Sequence, residues 1–524
     1  MKKDSNISLI FGLPLYLIIV LGPLLVLLVT SIGAIVAGHA DWLALIIPSG
    51  RRLKLLVDTL LFALEVALSG MVIGVILASQ VQRWHRGFLS YVKWMILAMA
   101  LVPPFIHASA WTTLFYKLST SAGLSYVTLQ GWSGCWWVQL MSLLPISLGL
   151  AMIGLESVDS ELVDSARLMR KPMDAFFRIS LPLALPTILA GGGILFLVSL
   201  IDYTVPSLLQ VNVYSLEIFA EFSTNNEPVR AFFLALPLLL ISTVVMLASQ
   251  VPLRNVAAKR KVRTNIDTIA DQWPLCYRAI KGLAMALLIV QIIVPIGTLI
   301  WNAGSFKTFV DSVLSAKTEI GYSTIIAAFS ALLAIWISII PALEMEQKGW
   351  KNSLWWFMII IPLAIPAPLT GIALVAMWNQ SFLPGIYGST AMPVLAAAAR
   401  FAPLAAIVIL AWKQTIDTNS LDAALVMQKS RRHGIMRVWL PMMRPGILGA
   451  GLLVAVLALA ELGATLIVAP PGQATITMRV YNLLHYGASE SVAGLCLLIT
   501  LAAGSLGLAV MAITAKNRGR RSRL

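Results

Sequence analysis

The chain has 524 residues, of which 59% are hydrophobic and only 12% charged, and its mean hydropathy is +0.87. A water-soluble fold of this length has no interior large enough to hide so much apolar side chain, which excludes an ordinary soluble enzyme and places the chain in lipid. The net charge of +15 would suggest nucleic acid in a soluble protein, but in a membrane protein the question is which loops hold the basic residues.

Lys2 and Lys3 precede an apolar run from Ile7 to Ala37. It is too long for the core of a cleavable signal peptide and reads as a retained first helix. A helix needs about 20 apolar residues to cross the hydrocarbon layer, and twelve such runs follow one another. The first six are Leu9–Ala37, Leu56–Ser79, Val92–Tyr116, Trp136–Leu155, Thr187–Leu209 and Ala231–Val251. The second six are Gly282–Trp301, Tyr322–Pro341, Leu354–Trp378, Met392–Ala411, Ile447–Val468 and Ser491–Ala515. With both termini cytoplasmic, most of the 38 Lys and Arg fall in cytoplasmic segments, as the positive-inside rule demands. The densest clusters are Lys259–Arg263, Arg431 with Arg432, and the tail from Lys516 to Arg523. Arg51, Arg52 and Lys54 are the exception, because this arrangement puts them outside.

The chain therefore divides into a first six-helix domain at 1–253, a basic cytoplasmic linker at 254–280 and a second six-helix domain at 281–524. The linker charges need no nucleic-acid partner, since positive-inside bias accounts for them. Cys135, Cys276 and Cys496 form no C-x-x-C pair, and the five histidines show no i, i+3 or i+4 grouping. Spacing thus signals neither a disulfide framework nor a metal site, and all three cysteines read as small buried apolar residues. No cofactor is implied.

The two halves resemble each other. After the fourth run (156–188) the chain reads Asp159, then Asp164-Ser165-Ala166, then Arg178-Ile179-Ser180-Leu181-Pro182 and Pro186. After the tenth (414–447) it reads Asp417, then Asp422-Ala423-Ala424, then Arg437-Val438-Trp439-Leu440-Pro441 and Pro445. The first copy is one residue shorter between the acid and the Leu-Pro. Further on, Asp202 falls opposite Glu461. A duplicated unit of six helices makes the repeats parallel. Each polar segment has the composition of a short helix with small residues where another surface can approach, and the Leu-Pro suits a helix start.

These segments resemble the cytoplasmic "EAA" signature of the permease subunits of ABC importers, E-A-A-x-x-x-G-x(9)-I-x-L-P. Both copies replace Glu by Asp, and Arg170 and Gln428 stand at the glycine position. The arrangement is most similar to fused double permeases of the ferric-iron and thiamine uptake type. The resemblance implies an all-α type I permease fold of about twelve transmembrane helices in the bacterial inner membrane. It further implies that Asp164, Ser165, Ala166, Arg170, Leu181 and Pro182 form one ATPase-coupling segment. Asp422, Ala423, Ala424, Gln428, Leu440 and Pro441 form the other. The implied partners are a cytoplasmic ATPase, as a homodimer, and a periplasmic or lipid-anchored binding protein that delivers ferric iron, thiamine or another small solute. The chain has no G-x-x-x-x-G-K-[ST] loop, so it is not expected to be an enzyme and ATP is hydrolysed by a partner. The competing reading is a secondary transporter driven by an ion gradient, which also uses two six-helix repeats but does not need a docking segment.

Asp202 and Glu461, acids in apolar surroundings, are the translocation-pathway candidates. The alternative is that each caps a broken helix beside Pro206 or Gly463. Glu65 and Arg400 are further intramembrane charges that could pair at a distance. Trp132, Trp136 and Trp137 read as an interfacial belt rather than a cation-binding cage. Glu217, Glu221 and Glu227 lie in an outer loop, either solvated or facing the binding protein.

Overall fold

The structure is a computed structural model that describes residues 13–82, 84, 87–123, 129–258, 275–346, 350–380, 385–416, 431–487 and 490–521. Every regular element among the described residues is helical. Among the described residues ten helices are long and apolar enough to cross a membrane, or twelve if each of two sharply bent pairs makes one crossing.

In the first half the long helices are α1 (Leu13–Val36), α2 (Arg51–Val81), the bent pair α3 (Gly87–Ala98) and α4 (Pro104–Ser121), and α5 (Gly131–Glu156). The short α6 (Ser160–Met169) leads into α7 (Met173–Ile201). Two short helices, α8 (Thr204–Leu208) and α9 (Tyr214–Asn225), then precede α10 (Pro228–Ala258). In the second half the order is α11 (Leu275–Asn302), α12 (Phe306–Ser315), α13 (Lys317–Glu344), the bent pair α14 (Trp350–Leu363) and α15 (Ala367–Trp378), and α16 (Ala391–Lys413). It closes with α17 (Met436–Leu459), the short α18 (Thr465–Val468) and α19 (Ile476–Leu484), and α20 (Glu490–Arg521).

Packing repeats between the halves. α2, α5, α7 and α10 form one bundle, and α13, α16, α17 and α20 form its counterpart. The first helix of each half packs on the other half. Tyr16, Ile19 and Val20 of α1 are buried among α13, α16 and α17, and Ala284 and Leu288 of α11 are buried against the first bundle. Small residues set the closest approaches: a Cβ on Gly74 of α2 would lie 2.8 Å from the carbonyl oxygen of Ser147 on α5. Because backbone cannot yield there, Gly74→Ala is expected to destabilise the chain by about 1–3 kcal/mol. Thermal unfolding in detergent checks this, and an unchanged midpoint would count against the crossing.

Proline placement corrects the spans read from hydropathy. The runs Val92–Tyr116 and Leu354–Trp378 are not straight helices. The chain bends by 97° between Leu101 and Pro104 and by 102° between Leu363 and Ala367. Pro104 bars Pro103 from the helical region, and Pro103 is extended with ψ 137°, as is Pro366 with ψ 140°. The fifth and eleventh spans also shift, from Thr187–Leu209 to Met173–Ile201 and from Ile447–Val468 to Met436–Leu459. Leu181-Pro182 and Leu440-Pro441 do not start these rods but lie inside them. Just before each comes a π-turn, Phe176–Ser180 and Ile435–Trp439, and the Leu181 N–H reaches back to the Phe176 carbonyl. A proline ring collides with the carbonyl four residues earlier and donates no hydrogen bond, so one wider turn lets the helix run through.

The ends of α2 and α13 remote from α6 are clipped in the same way. Thr59 Oγ1 accepts the Tyr214 N–H at 2.9 Å, and Ser323 Oγ accepts the Ile476 N–H at 2.8 Å, so each hydroxyl satisfies a free donor at the start of α9 or α19. Charge pairs complete both clips, with reversed polarity. On α2, Arg51 makes a two-pronged contact with Glu217 at 2.9 and 3.0 Å and Arg52 reaches Glu221 at 3.0 Å. On α13 it is Glu319 that holds Arg479, at 2.5 Å. The exceptional outer arginines thus have partners within the chain, and Glu217 and Glu221 are not simply solvated acids. Arg479→Glu is expected to cost about 1 kcal/mol, and adding Glu319→Arg to restore it. Thermal unfolding of both variants decides, and equal losses would overturn the pairing.

One smaller expectation also changes. Cys276 is exposed, whereas Cys135 and Cys496 are buried. Trp132 and Trp136 donate to Glu65 at 2.9 Å and to Ser69 at 3.2 Å, which ties α5 to α2.

Candidate functional site

One part of the site lies at the end of the bundle where α6 meets α7. Asp159 caps α6 by accepting the Glu161 N–H at 3.1 Å, and Ser165 donates back to the Glu161 carbonyl at 2.8 Å. Asp164 and Ser165 face outward, while Ala166 is buried. Leu168 and Met169 stand 87% exposed. Arg170 occupies the glycine position of the motif in extended backbone, φ −139° and ψ 156°, where any residue fits. It donates to Asp174 at 2.7 Å, and Asp174 also holds Arg178 at 2.6 Å, which fastens the α6 turn to the base of α7. Phe177 packs edge-on against Tyr277 at the start of α11, with ring centroids 5.9 Å apart. Leu181 and Pro182 continue α7 beyond the π-turn. Leu440 and Pro441 do the same for α17, whereas Asp422, Ala423, Ala424 and Gln428 lie outside the described residues.

The other part is the seam where α7 and α17 end. Both rods stop at an acid. Asp202 leaves the helix with ψ 132°, and its Oδ1 accepts the Thr204 N–H at 3.0 Å and the Thr204 hydroxyl at 2.6 Å. Glu461 Oε1 accepts the Ala464 N–H at 2.8 Å, and its Oε2 forms an ion pair with Arg400 of α16. Each acid therefore caps the short helix after its break. Glu65 and Arg400 do not pair with each other: Glu65 is engaged by Trp132 and Arg400 by Glu461.

The two breaks touch each other. A Cβ on Gly463 would lie 3.2 Å from the Tyr203 ring, and Ser207 Oγ and Tyr481 Oη are hydrogen-bonded at 2.9 Å across the halves. Burial raises the Tyr481 hydroxyl above its ordinary value. Asp202 Oδ2, the Tyr203 hydroxyl and both ring nitrogens of His107 are buried with no partner among the described residues. Orphaned buried polar atoms are costly in a structural core, so each calls for an explanation.

Residues 70–254 match the model of a family described as binding-protein-dependent transport system inner membrane component. The chain carries a permease domain of this family. It is similar to the putrescine transport system permease protein PotI of Escherichia coli strain K12, at 28% identity over 219 residues, 41% of this chain and 76% of the relative. It is also similar to the putative 2-aminoethylphosphonate transport system permease protein PhnV of Salmonella typhimurium strain LT2. There the identity is 26% over 190 residues, 36% of this chain and 68% of the relative. The permease is accordingly a multi-pass membrane subunit of an ABC importer, a type that works with an ATPase and a substrate-binding protein.

Of the permease residues singled out in sequence, the structure brings Glu461 and Arg400 together at the seam and sets Asp202 beside Tyr203. Sequence reasoning missed Tyr203, Ser207 and Tyr481. Tyr203 had a usable signal, an aromatic next to the acid at a helix break. Tyr481 had none, since only the fold carries α19 to α8.

Proposed function

We propose that this permease couples ATP hydrolysis on a separate cytoplasmic ATPase dimer to passage of a small solute along the seam between its halves. Both termini and the 254–280 linker are cytoplasmic, and 1–253 and 281–524 act as the two permease domains. Asp164, Ser165, Ala166, Arg170, Leu181 and Pro182 form one coupling segment. Asp422, Ala423, Ala424, Gln428, Leu440 and Pro441 form the other. The observation that carries this reading is the apolar tip of α6, Leu168 and Met169, exposed at the foot of a rod that runs unbroken to the Asp202 break. Exposed apolar side chains on a polar helix favour a protein partner, and a continuous rod transmits a push at its foot to the seam. An extracytoplasmic binding protein delivers the solute at the opposite end. Neither relative is named for ferric iron or thiamine; one is named for putrescine, the other for 2-aminoethylphosphonate.

The test is solute uptake into inverted-control and right-side-out membrane vesicles from cells that carry the whole system, energised either by ATP or by an imposed ion gradient. ATP alone is expected to drive uptake. Uptake on a proton or sodium gradient without ATP would establish the rival, gradient-driven carrier.

A further inference from the structure

We propose that the seam selects small cations that carry N–H donors, received by Asp202 Oδ2 and Tyr203 Oη; this deepens the reading of the seam as the solute passage and rests on it. The seam brings two carboxylates, Asp202 and Glu461, to one guanidinium, Arg400. Glu461 is spent on Arg400 and the Ala464 N–H, and Asp202 Oδ1 on Thr204. Asp202 Oδ2 is left with no donor among the described residues and almost no access to solvent.

A carboxylate oxygen in that position is stabilised by a visitor that supplies both positive charge and a hydrogen, which an ammonium or guanidinium does and an anion does not. An anionic solute would meet Asp202 while Arg400 is already engaged. Tyr203 adds a second acceptor in a fixed place. It is 1% exposed, stacked on Phe219 with ring centroids 5.7 Å apart, and pressed against Gly463, so its orphaned hydroxyl cannot turn away. A metal ion is a poorer fit, because no group of three or more His, Cys, Asp or Glu suited to one occurs among the described residues.

The experiment uses the purified chain in lipid nanodiscs, with no ATP and no ATPase. Its thermal unfolding midpoint is followed as ethylammonium, tetramethylammonium or acetate is added at constant ionic strength. Ethylammonium is expected to raise the midpoint saturably, and the other two, which lack N–H donors or positive charge, to leave it in place. Asp202→Asn should raise the half-saturating ethylammonium concentration by at least about tenfold, as loss of a charge-assisted hydrogen bond predicts. Tyr203→Phe, which removes only the hydroxyl, should raise it by about threefold. Glu65→Gln, whose carboxylate is held by Trp132 rather than by Asp202 or Tyr203, should respond as the unaltered chain does.

Equal responses to ethylammonium and tetramethylammonium, no saturable response, or an unchanged Asp202→Asn variant each overturn the proposal. If Asp202→Asn does not fold, Tyr203→Phe decides, and an unaltered response there is equally fatal. Because no ATPase is present, a negative result leaves the coupling role of α6 standing, and a failure of ATP-driven uptake leaves this result standing.

Discussion

Replacing Leu168 and Met169 together by glutamate is expected to abolish ATP-driven uptake while the chain still accumulates in the membrane at normal levels. Both side chains are almost fully exposed at the tip of α6, so their loss costs the folded chain next to nothing. Buried in a partner, each would contribute about 1.5–3 kcal/mol, and carboxylates in their place would add a desolvation penalty. The combined loss exceeds about 3 kcal/mol, more than a hundredfold in affinity for the ATPase. Co-purification of the ATPase with the tagged chain, alongside membrane abundance, reads this directly. Retention of the ATPase at wild-type levels would falsify the docking role of α6.

Arg400→Ala is expected to produce the largest loss of stability, about 3–5 kcal/mol, because it strands the buried Glu461 carboxylate in an apolar bundle. Glu461 would keep its bond from the Ala464 N–H but lose its only neutralising partner among the described contacts. Adding Glu461→Gln removes the charge while preserving an oxygen that can still cap α18. The double variant should therefore recover most of the loss, which is the signature of a coupled pair. Unfolding midpoints of the two singles and the double, measured in one detergent, close the cycle. A single variant no less stable than the double would show that the pair carries no stability of its own.

Much of the architecture is legible in the order of residues. Twelve apolar runs announce a membrane bundle, and the repeated acid, small-small and Leu-Pro strings announce two equivalent halves. Asp202 and Glu461 stand out because acids are rare in such surroundings. Hydropathy was misleading at the prolines. A window average cannot tell a straight helix from one bent by 97° at Pro103-Pro104, nor detect that a π-turn carries a rod through Leu181-Pro182. Arg51 and Arg52 looked like violations of charge asymmetry for a related reason. Their partners, Glu217 and Glu221, arrive from more than a hundred residues away.

What the sequence alone determines is immersion in lipid, the number of crossings to within the bent pairs and the repeated polar segments. These follow from local composition and short-range spacing, and the bilayer enforces them on every span in the same way. Only the tertiary structure decides which charges are spent and which remain. Arg400 meets Glu461, Ser207 meets Tyr481, and Asp202 keeps an oxygen unclaimed among the described residues where the ends of the two halves meet. Electrostatic pairing is a matter of a few ångströms, and no spacing along the chain reports a distance between helices.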